Sequence, residues 1–407
     1  MRIAFLVDSC IGCLPTFILN QIEGLINLGV DVHIFCECSP REEKMERRSW
    51  NLGSRAHYFM KIPQNKFKRI LKAILLLTEV LHRDPITILQ AINFFKYRKD
   101  SLTLKNLFYT IPFLGKKYDI LHCHYGPTGK EFLFLKSILK IDYITSFYGF
   151  DVSKYVVRHS DKVYGDLFKK SDLFIVLSDV MKNELIKLGA DSCKVMKHRV
   201  GVNLEELEFK KRELNAGEKL TILTIAKLIE KKGLEYSIRS VTQIIDKFPN
   251  LEYLIAGEGP LRSKLESLIN QLHCEDKIKL LGWKDRYEIK KLLAKTHILI
   301  LTSVTGKDGD REGTPVALME AQASGIPVIS TYHSGIPEIV ADGKSGFLIP
   351  ERDVEALSER LTYLIEHPDL WPKMGKTGRK IVEKEFDIKK LSKKLLKIYN
   401  ELCREQL

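Results

Sequence analysis

Short apolar runs recur along this chain, each followed by a stretch whose apolar residues fall at helical spacing, and this alternation constrains the fold more than any other feature. In the second half the runs are KLTILTIA (219–226), LEYLIAG (251–257), KIKLLGW (277–283), HILILTS (297–303) and IPVIST (326–331). Between them lie EYSIRSVTQIIDKF, PLRSKLESLINQLH, DRYEIKKLLAKT and TPVALMEAQAS, which read as helices. Near-continuous apolar strands separated by helices form parallel sheets covered on both faces. The first half repeats the pattern with RIAFLV, DVHIFC, DILHCHY, DYITSFY and LFIVLS as strands, and FILNQIEGLINLG and DVMKNELIKLG as helices. The fold class is therefore α/β, built from doubly wound parallel sheets.

At 407 residues the chain exceeds what one growing core accommodates, so two domains are expected. The polar, charged stretch LEELEFKKRELNAGE (204–218) is the natural linker. It divides an N-terminal domain, residues 1–205, from a C-terminal domain, residues 206–385. A basic insertion at about 40–117 interrupts the first domain. The last segment, 386–407, carries Leu391, Leu395, Ile398, Tyr399 and Leu402 on one stripe, so it must dock as a helix. The pattern does not name the docking surface; we assign this helix to completing the first domain.

No apolar run reaches the roughly 18 residues of a membrane-spanning helix. The start, MRIAFLVDSC, suits a buried first strand better than a secretory signal, and a cytoplasmic chain is expected. Eight irregularly spaced cysteines do not make a disulfide framework. Cys10, Cys13, Cys36 and Cys38 fall at the ends of the first two strands, where they either fill space as small apolar side chains or gather as zinc ligands.

The net charge of +13 implies an anionic partner. Between Lys61 and Lys117 twelve Lys or Arg face only Glu79, Asp84 and Asp100, interleaved with Phe67, Ile70, Leu71, Ile74 and Leu75. This is the spacing of a basic amphipathic helix, peripheral to an anionic membrane. The same pattern also fits a helix that packs its apolar face on the domain with its charges solvated. No nucleic-acid module accompanies the charge, so nucleic acid is excluded as a partner.

Open parallel sheets bind ligands beyond the carboxyl ends of their strands. After KLTILTIA come Lys227 and then Lys232, with Gly233 opening a helix; lysines beside an amide-lined helix entrance suit a diphosphate. After HILILTS the loop carries Glu312, Gly313, Thr314 and Pro315, with Glu320 inside the following helix. Such paired carboxylates can each accept hydrogen bonds from a vicinal diol. Alone, they read better as a capping acid and a solvated helix acid. After IPVIST, Ser334 and Gly335 turn into a further helix entrance near Pro337, with His333 beside it. Asp308 and Asp310 spell Asp-x-Asp, a pattern used elsewhere to hold manganese. DGDREG also starts like a calcium loop, but Met319 stands at the twelfth position, where a bidentate Glu is required.

The ordered set AKLIEKKG, AGEGP, LLGW, EGTPVALMEAQASGIPVIS, SGIPEIV and DGKSGFLIP resembles the donor domain of the retaining GT-B glycosyltransferases of family 4. PTFILNQI, LHCHYGP, SFYGFDVS and HRVGVN are similar to the acceptor domain of the branch that builds exopolysaccharide, capsule and lipopolysaccharide outer core. The resemblance covers essentially the whole chain. It implies two Rossmann-like domains facing across a cleft and sugar transfer from a nucleotide-diphosphate sugar, with UDP expected. The acceptor would be a glycan, lipid-linked at the inner face of the membrane.

In the same family Glu312 would bind the donor sugar and Glu320 the ribose hydroxyls, while Lys227 and Lys232 neutralise the diphosphate. Most relatives have Arg where this chain has Lys227; lysine keeps the charge without the bidentate fork. Ser334 and Gly335 would supply backbone contacts to the diphosphate, Gly282 and Trp283 would meet the base, and Gly12 would approach from the other domain. On the acceptor side, Tyr148 replaces the histidine that many relatives carry before Gly-x-Asp, here Gly149, Phe150 and Asp151. That leaves His124 as the alternative imidazole, if it is not simply a hydrogen-bonded strand-end residue. The resemblance implies front-face attack, in which the leaving phosphate takes the acceptor proton, and no cofactor or metal. A GT-B phosphorylase or sugar-nucleotide epimerase, or a non-catalytic glycan-binding or membrane-binding subunit, is the competing reading.

Overall fold

The computed structural model of the chain describes residues 1–9, 14–36, 52–97, 102–215 and 217–404. Two wholly parallel sheets organise it. The first has the order β3-β2-β1-β4-β5-β6-β7, with β1 Arg2–Leu6, β2 Asp31–Cys36, β3 Ala56–Tyr58, β4 Ile120–His124, β5 Asp142–Ser146, β6 Leu173–Val176 and β7 Val195–Lys197. The second has the order β10-β9-β8-β11-β12-β13, with β8 Leu220–Ile225, β9 Leu251–Ala256, β10 Ile278–Gly282, β11 Ile298–Leu301, β12 Val328–Thr331 and β13 Gly346–Ile349. Strands β1, β4, β5, β6, β8 and β11 are buried almost end to end, as sheets covered on both faces require.

Ten strands coincide with the apolar runs. The three that the runs do not mark are β3, β7 and β13. The first two are three-residue edge strands with mixed polarity, too short to impose a period of two. The third is four residues long and lies inside DGKSGFLIP.

Seven helices matter for the argument: α1 (Thr16–Ile26), α2 (Lys66–Val80), α3 (Lys154–His159), α4 (Leu234–Ile244), α5 (Arg286–Lys295), α6 (Val316–Ala323) and α7 (Ile388–Arg404). Helix α7 returns from the second half to lie against α1. Its Leu395 and Tyr399 are fully buried in one cluster with Ile3, Phe5, Ile18 and Ile22. The Tyr399 hydroxyl is 2.6 Å from His122 Nδ1, under the first sheet. The linker is strapped down as well: Arg212, 4% exposed, donates to the carbonyls of Ala294 (2.9 Å) and Ser324 (2.7 Å).

The basic insertion folds on a small cluster of its own, made of Ala73, Val80, Ile88, Leu107, Phe108 and Leu114. Asn65 caps α2 by accepting from the Lys68 amide. The apolar stripe read from the sequence does not pack on the domain. Phe67, Ile70, Leu71, Ile74 and Leu75 are 51–85% exposed, and the packed side is the row through Ala73, Leu76, Leu77 and Val80. No helix among the described residues is long and apolar enough to cross a membrane.

Candidate functional site

In the second sheet, strand order reverses between β8 and β11, and the loops after these two strands carry most of the candidate residues. After β8, Lys227 is exposed and the chain makes a tight turn through Gly233, whose φ of 61° precedes α4. A Cβ at Gly233 would come 1.9 Å from the Thr302 carbonyl, so only glycine lets this turn reach β11.

After β11, the long loop ends at Pro315, the N-cap of α6; Gly325, at φ 80°, follows its C-terminus. Proline therefore stands just outside the helix rather than in its first turn. The expected helix at Pro337 is a single 3-10 turn, Ile336–Glu338. Ser334 holds a φ of 48°, a left-handed conformation that aims the chain back at Gly313; a Cβ on Gly335 would lie 3.0 Å from the Gly313 carbonyl.

Lys227, Trp283 and Glu320 line one cavity of about 470 Å³, together with Arg286, Glu258 and Gly257. Thr16 and Leu19, from α1 of the other half, close its far side. Trp283 is 62% exposed, and Gly282 before it has a φ of 77°. Glu320 is 8% exposed; burial raises its pKa above the ordinary value, and the Arg286 guanidinium offsets part of that. Arg286 Nη1 lies 3.3 Å from Glu320 Oε1, and its Nε donates to Glu206 at 2.7 Å.

Glu312 and Lys232 do not border this cavity; they are paired with each other beside it. Burial alone would raise the Glu312 pKa, but Lys232 and Lys231 more than offset this and hold it below the usual carboxylate value. The Glu312 amide donates to His333 Nε2 at 2.9 Å. His333 Nδ1, which therefore carries the proton, lies 2.6 Å from Glu351 Oε1. Glu351 also accepts from the Thr305 amide at 2.9 Å, so one carboxylate fixes both ends of the loop. Thr314 is buried, with no partner for its hydroxyl among the described residues.

The acceptor-side candidates are less open than the sequence suggests. Asp151 is 0% exposed, and its carboxylate accepts from the amides of Tyr148 (2.9 Å), Gly149 (2.9 Å) and Gly126 (3.1 Å). Burial raises its pKa to about 6 despite those bonds. Its carboxylate organises the 148–151 loop. The Tyr148 hydroxyl points inward, 2.6 Å from His124 Nδ1. His124 is wholly buried, and burial lowers its pKa to about 3, so it is neutral. Gly12, Cys10, Cys13 and Cys38 lie outside the described residues; Cys36 is buried in the sheet.

Asp308 and Asp310 face different lysines. Asp308 pairs with Lys154, and Asp310 with Lys231 at 3.1 Å. No cluster of three or more His, Cys, Asp or Glu poised for a metal occurs among the described residues.

Arg286 and Glu351 are the candidate-site residues that motif reading passes over, and it notes His333 only as a neighbour of the Ser334–Gly335 turn. Arg286 left a trace: a cation in the first turn of a helix opposes the helix dipole, so it calls for a local carboxylate. Glu351 left none, since its meeting with His333 depends on β12 and β13 lying side by side.

Two family models match: "Glycosyltransferase Family 4" over residues 14–206 and "Glycosyl transferases group 1" over residues 205–381. A glycosyltransferase of Escherichia coli strain K12 named for colanic acid biosynthesis is 34% identical, over 99% of this chain and 100% of its own. The chain belongs to glycosyltransferase family 4. A glycosyltransferase of Erwinia amylovora named for amylovoran biosynthesis is also 34% identical, over 95% of this chain and 96% of its own. Among solved structures, Anabaena HepE in complex with UDP matches with a TM-score of 0.71 at 15% identity, covering 98% of this chain and 100% of that one. The two-sheet arrangement is thus the GT-B fold.

Proposed function

We propose that this family 4 enzyme transfers a hexose, with retention of configuration, from a UDP-sugar to a growing, lipid-linked surface polysaccharide. The observation that carries the proposal is the cavity of about 470 Å³ that joins Lys227, Trp283 and Glu320 at the strand-order reversal. Its volume and mixed lining suit a nucleotide-sized ligand. Relatives named for exopolysaccharide synthesis, and the HepE complexes with UDP and UDP-glucose, support the same reading.

In this reading Gly282 and Trp283 meet the base, Glu320 the ribose hydroxyls, and Glu312 the sugar. Lys227, Lys232 and the turns at Gly313, Thr314, Pro315, Ser334 and Gly335 receive the diphosphate. Residues 1–205 with 386–407 form the acceptor half and 206–385 the donor half. The bond from the anomeric carbon to the diphosphate breaks while the acceptor oxygen bonds to the same face. The acceptor proton passes to the leaving phosphate oxygen. The protein's share is orientation and stabilisation of the departing diphosphate. No side-chain base is required, in keeping with the buried, inward-facing Tyr148 and His124.

The reaction is proposed to need no metal, since Asp308 and Asp310 are each already neutralised by a lysine. The exposed apolar row of α2, flanked by Lys66, Lys68, Arg69 and Lys72, would rest on the anionic inner face of the cell membrane.

The test is to screen UDP-, GDP- and ADP-sugars by thermal shift and by slow hydrolysis without acceptor, with and without EDTA. A UDP-sugar should stabilise by about 2.7 kcal/mol at 100 times its dissociation constant. Hydrolysis should persist in EDTA and fall in Glu320→Ala. Activity lost in EDTA and restored by manganese would overturn the metal-free mechanism. If no nucleotide sugar binds or turns over, the enzymatic reading gives way to that of a non-catalytic subunit.

A further inference from the structure

The loop that carries Glu312 is tied to both halves of the molecule, and its Asp-x-Asp is part of the tie. Asp308 pairs with Lys154 at the start of α3, with Arg158 one turn on at 3.9 Å. Three residues later the charges run in the opposite sense: Arg311 pairs with Glu184 of the first half, and its amide lies 3.3 Å from Ser153 Oγ. Next to Glu312, the two backbones touch. A Cβ on Gly149 would lie 2.8 Å from the Gly313 nitrogen, and one on Gly313 would lie 2.1 Å from the Tyr148 carbonyl. On its own half the loop is held by Asp310 on Lys231, Glu312 on Lys232 and the Glu312 amide on His333.

We infer that Asp308 and Arg311 are positioning residues that form a charge-coded latch, placing Glu312 at the reacting centre only when the two halves are together. An acid followed three residues later by a base meets a base and an acid on the opposing face, so one register of the two surfaces satisfies both pairs. The side chains of Lys154, Asp308, Arg311 and Glu184 are only 21–39% exposed, so each pair is partly shielded yet open to salt. The halves are also joined away from this loop. Glu338 separately pairs with Lys197 at 3.2 Å and Arg199 at 3.0 Å, so latch variants should fold. The consequence for catalysis rests on the role proposed above for Glu312; the latch itself does not.

The experiment is a charge swap in the full chain: Asp308→Lys, Lys154→Asp, and the two combined. Three quantities would be read: the UDP dissociation constant, the kcat for UDP-glucose hydrolysis, and the radius of gyration in solution with and without UDP. Each single reversal should enlarge the particle and lower kcat by about tenfold or more. UDP affinity should fall as well, by about threefold or more, because Thr16 and Leu19 of the first half wall the cavity. The combined swap should restore both size and kcat. The latch is refuted if single reversals leave size and kcat unchanged, or if the swap is no better than the worse single variant. It is equally refuted if added manganese, rather than the swap, rescues Asp308→Asn. Should the wild type neither bind UDP nor hydrolyse UDP-glucose, the proposed function fails, while the size measurement still decides the latch.

Discussion

Lys232 and Glu312 neutralise each other in the absence of substrate, and this makes their energetics separable from their chemistry. Both side chains are about nine-tenths buried, at 14% and 12% exposed, so removing one partner strands a charge. Lys232→Met should cost about 3–5 kcal/mol in denaturant unfolding. The double variant Lys232→Met/Glu312→Leu should recover most of that stability and none of the transferase activity. Recovery of activity would mean that the pair is structural only. In pH terms, the depressed Glu312 carboxyl contributes stability that is present above its unfolded value and is lost as pH falls through its lower folded value. Asp151 runs the other way. With its pKa raised to about 6, its contribution is full below the unfolded value near 3.8 and is lost as pH rises through 6. Wild type should therefore lose up to about 3 kcal/mol relative to Asp151→Asn between pH 4 and pH 7. Parallel stability curves for the two proteins would rule this out. The acids and lysines were legible in the sequence because they follow strands. Their partners were not: nothing in the chain marks Glu312 for Lys232, or Asp151 for the three amides that occupy it.

Helix α2 shows the same limit at the scale of an element. Its period, its cap and its basic flank are plain in NKFKRILKAILLL, but periodicity reports that a face is apolar, not whether protein covers it. The structure leaves Phe67 and Leu71, at 85% and 60% exposed, facing outward, and buries the row beside them. A contiguous exposed apolar patch ringed by lysines marks a contact surface. Phe67→Ser/Leu71→Ser should abolish sedimentation with phosphatidylglycerol vesicles while leaving UDP-sugar hydrolysis at the wild-type rate, because the helix lies apart from the donor cavity. Retained sedimentation would move the membrane contact elsewhere on the chain. Among the strands, the long buried ones were readable and three of the four edges were not. A three-residue strand such as β7 is defined by its neighbour's hydrogen bonds rather than by its own sequence.

At the scale of the whole molecule, the alternation of strands and helices foretells two sheets but is silent on how they face each other. That arrangement bears on the proposed function, since the cavity proposed for the donor has walls from both halves: Thr16 and Leu19 of α1 stand across from Lys227, Trp283 and Glu320. A ligand bound between them must couple the two sheets. The first turn of α1 has no side-chain cap, with Pro15 before it, so its amides are held by packing and backbone bonds alone. Filling the cavity with UDP should therefore slow hydrogen exchange at Ile18 and Leu19 as well as along α6, where Glu320 is anchored. The protection should reach α1 even though that helix belongs to the first half. If UDP protects α6 and leaves α1 exchanging at its free rate, the halves stand apart in solution and the cavity seen here is closed only transiently. If both are protected, the donor site is a property of the closed molecule, and the charges of the 308–313 loop that hold it closed become part of how the donor is bound.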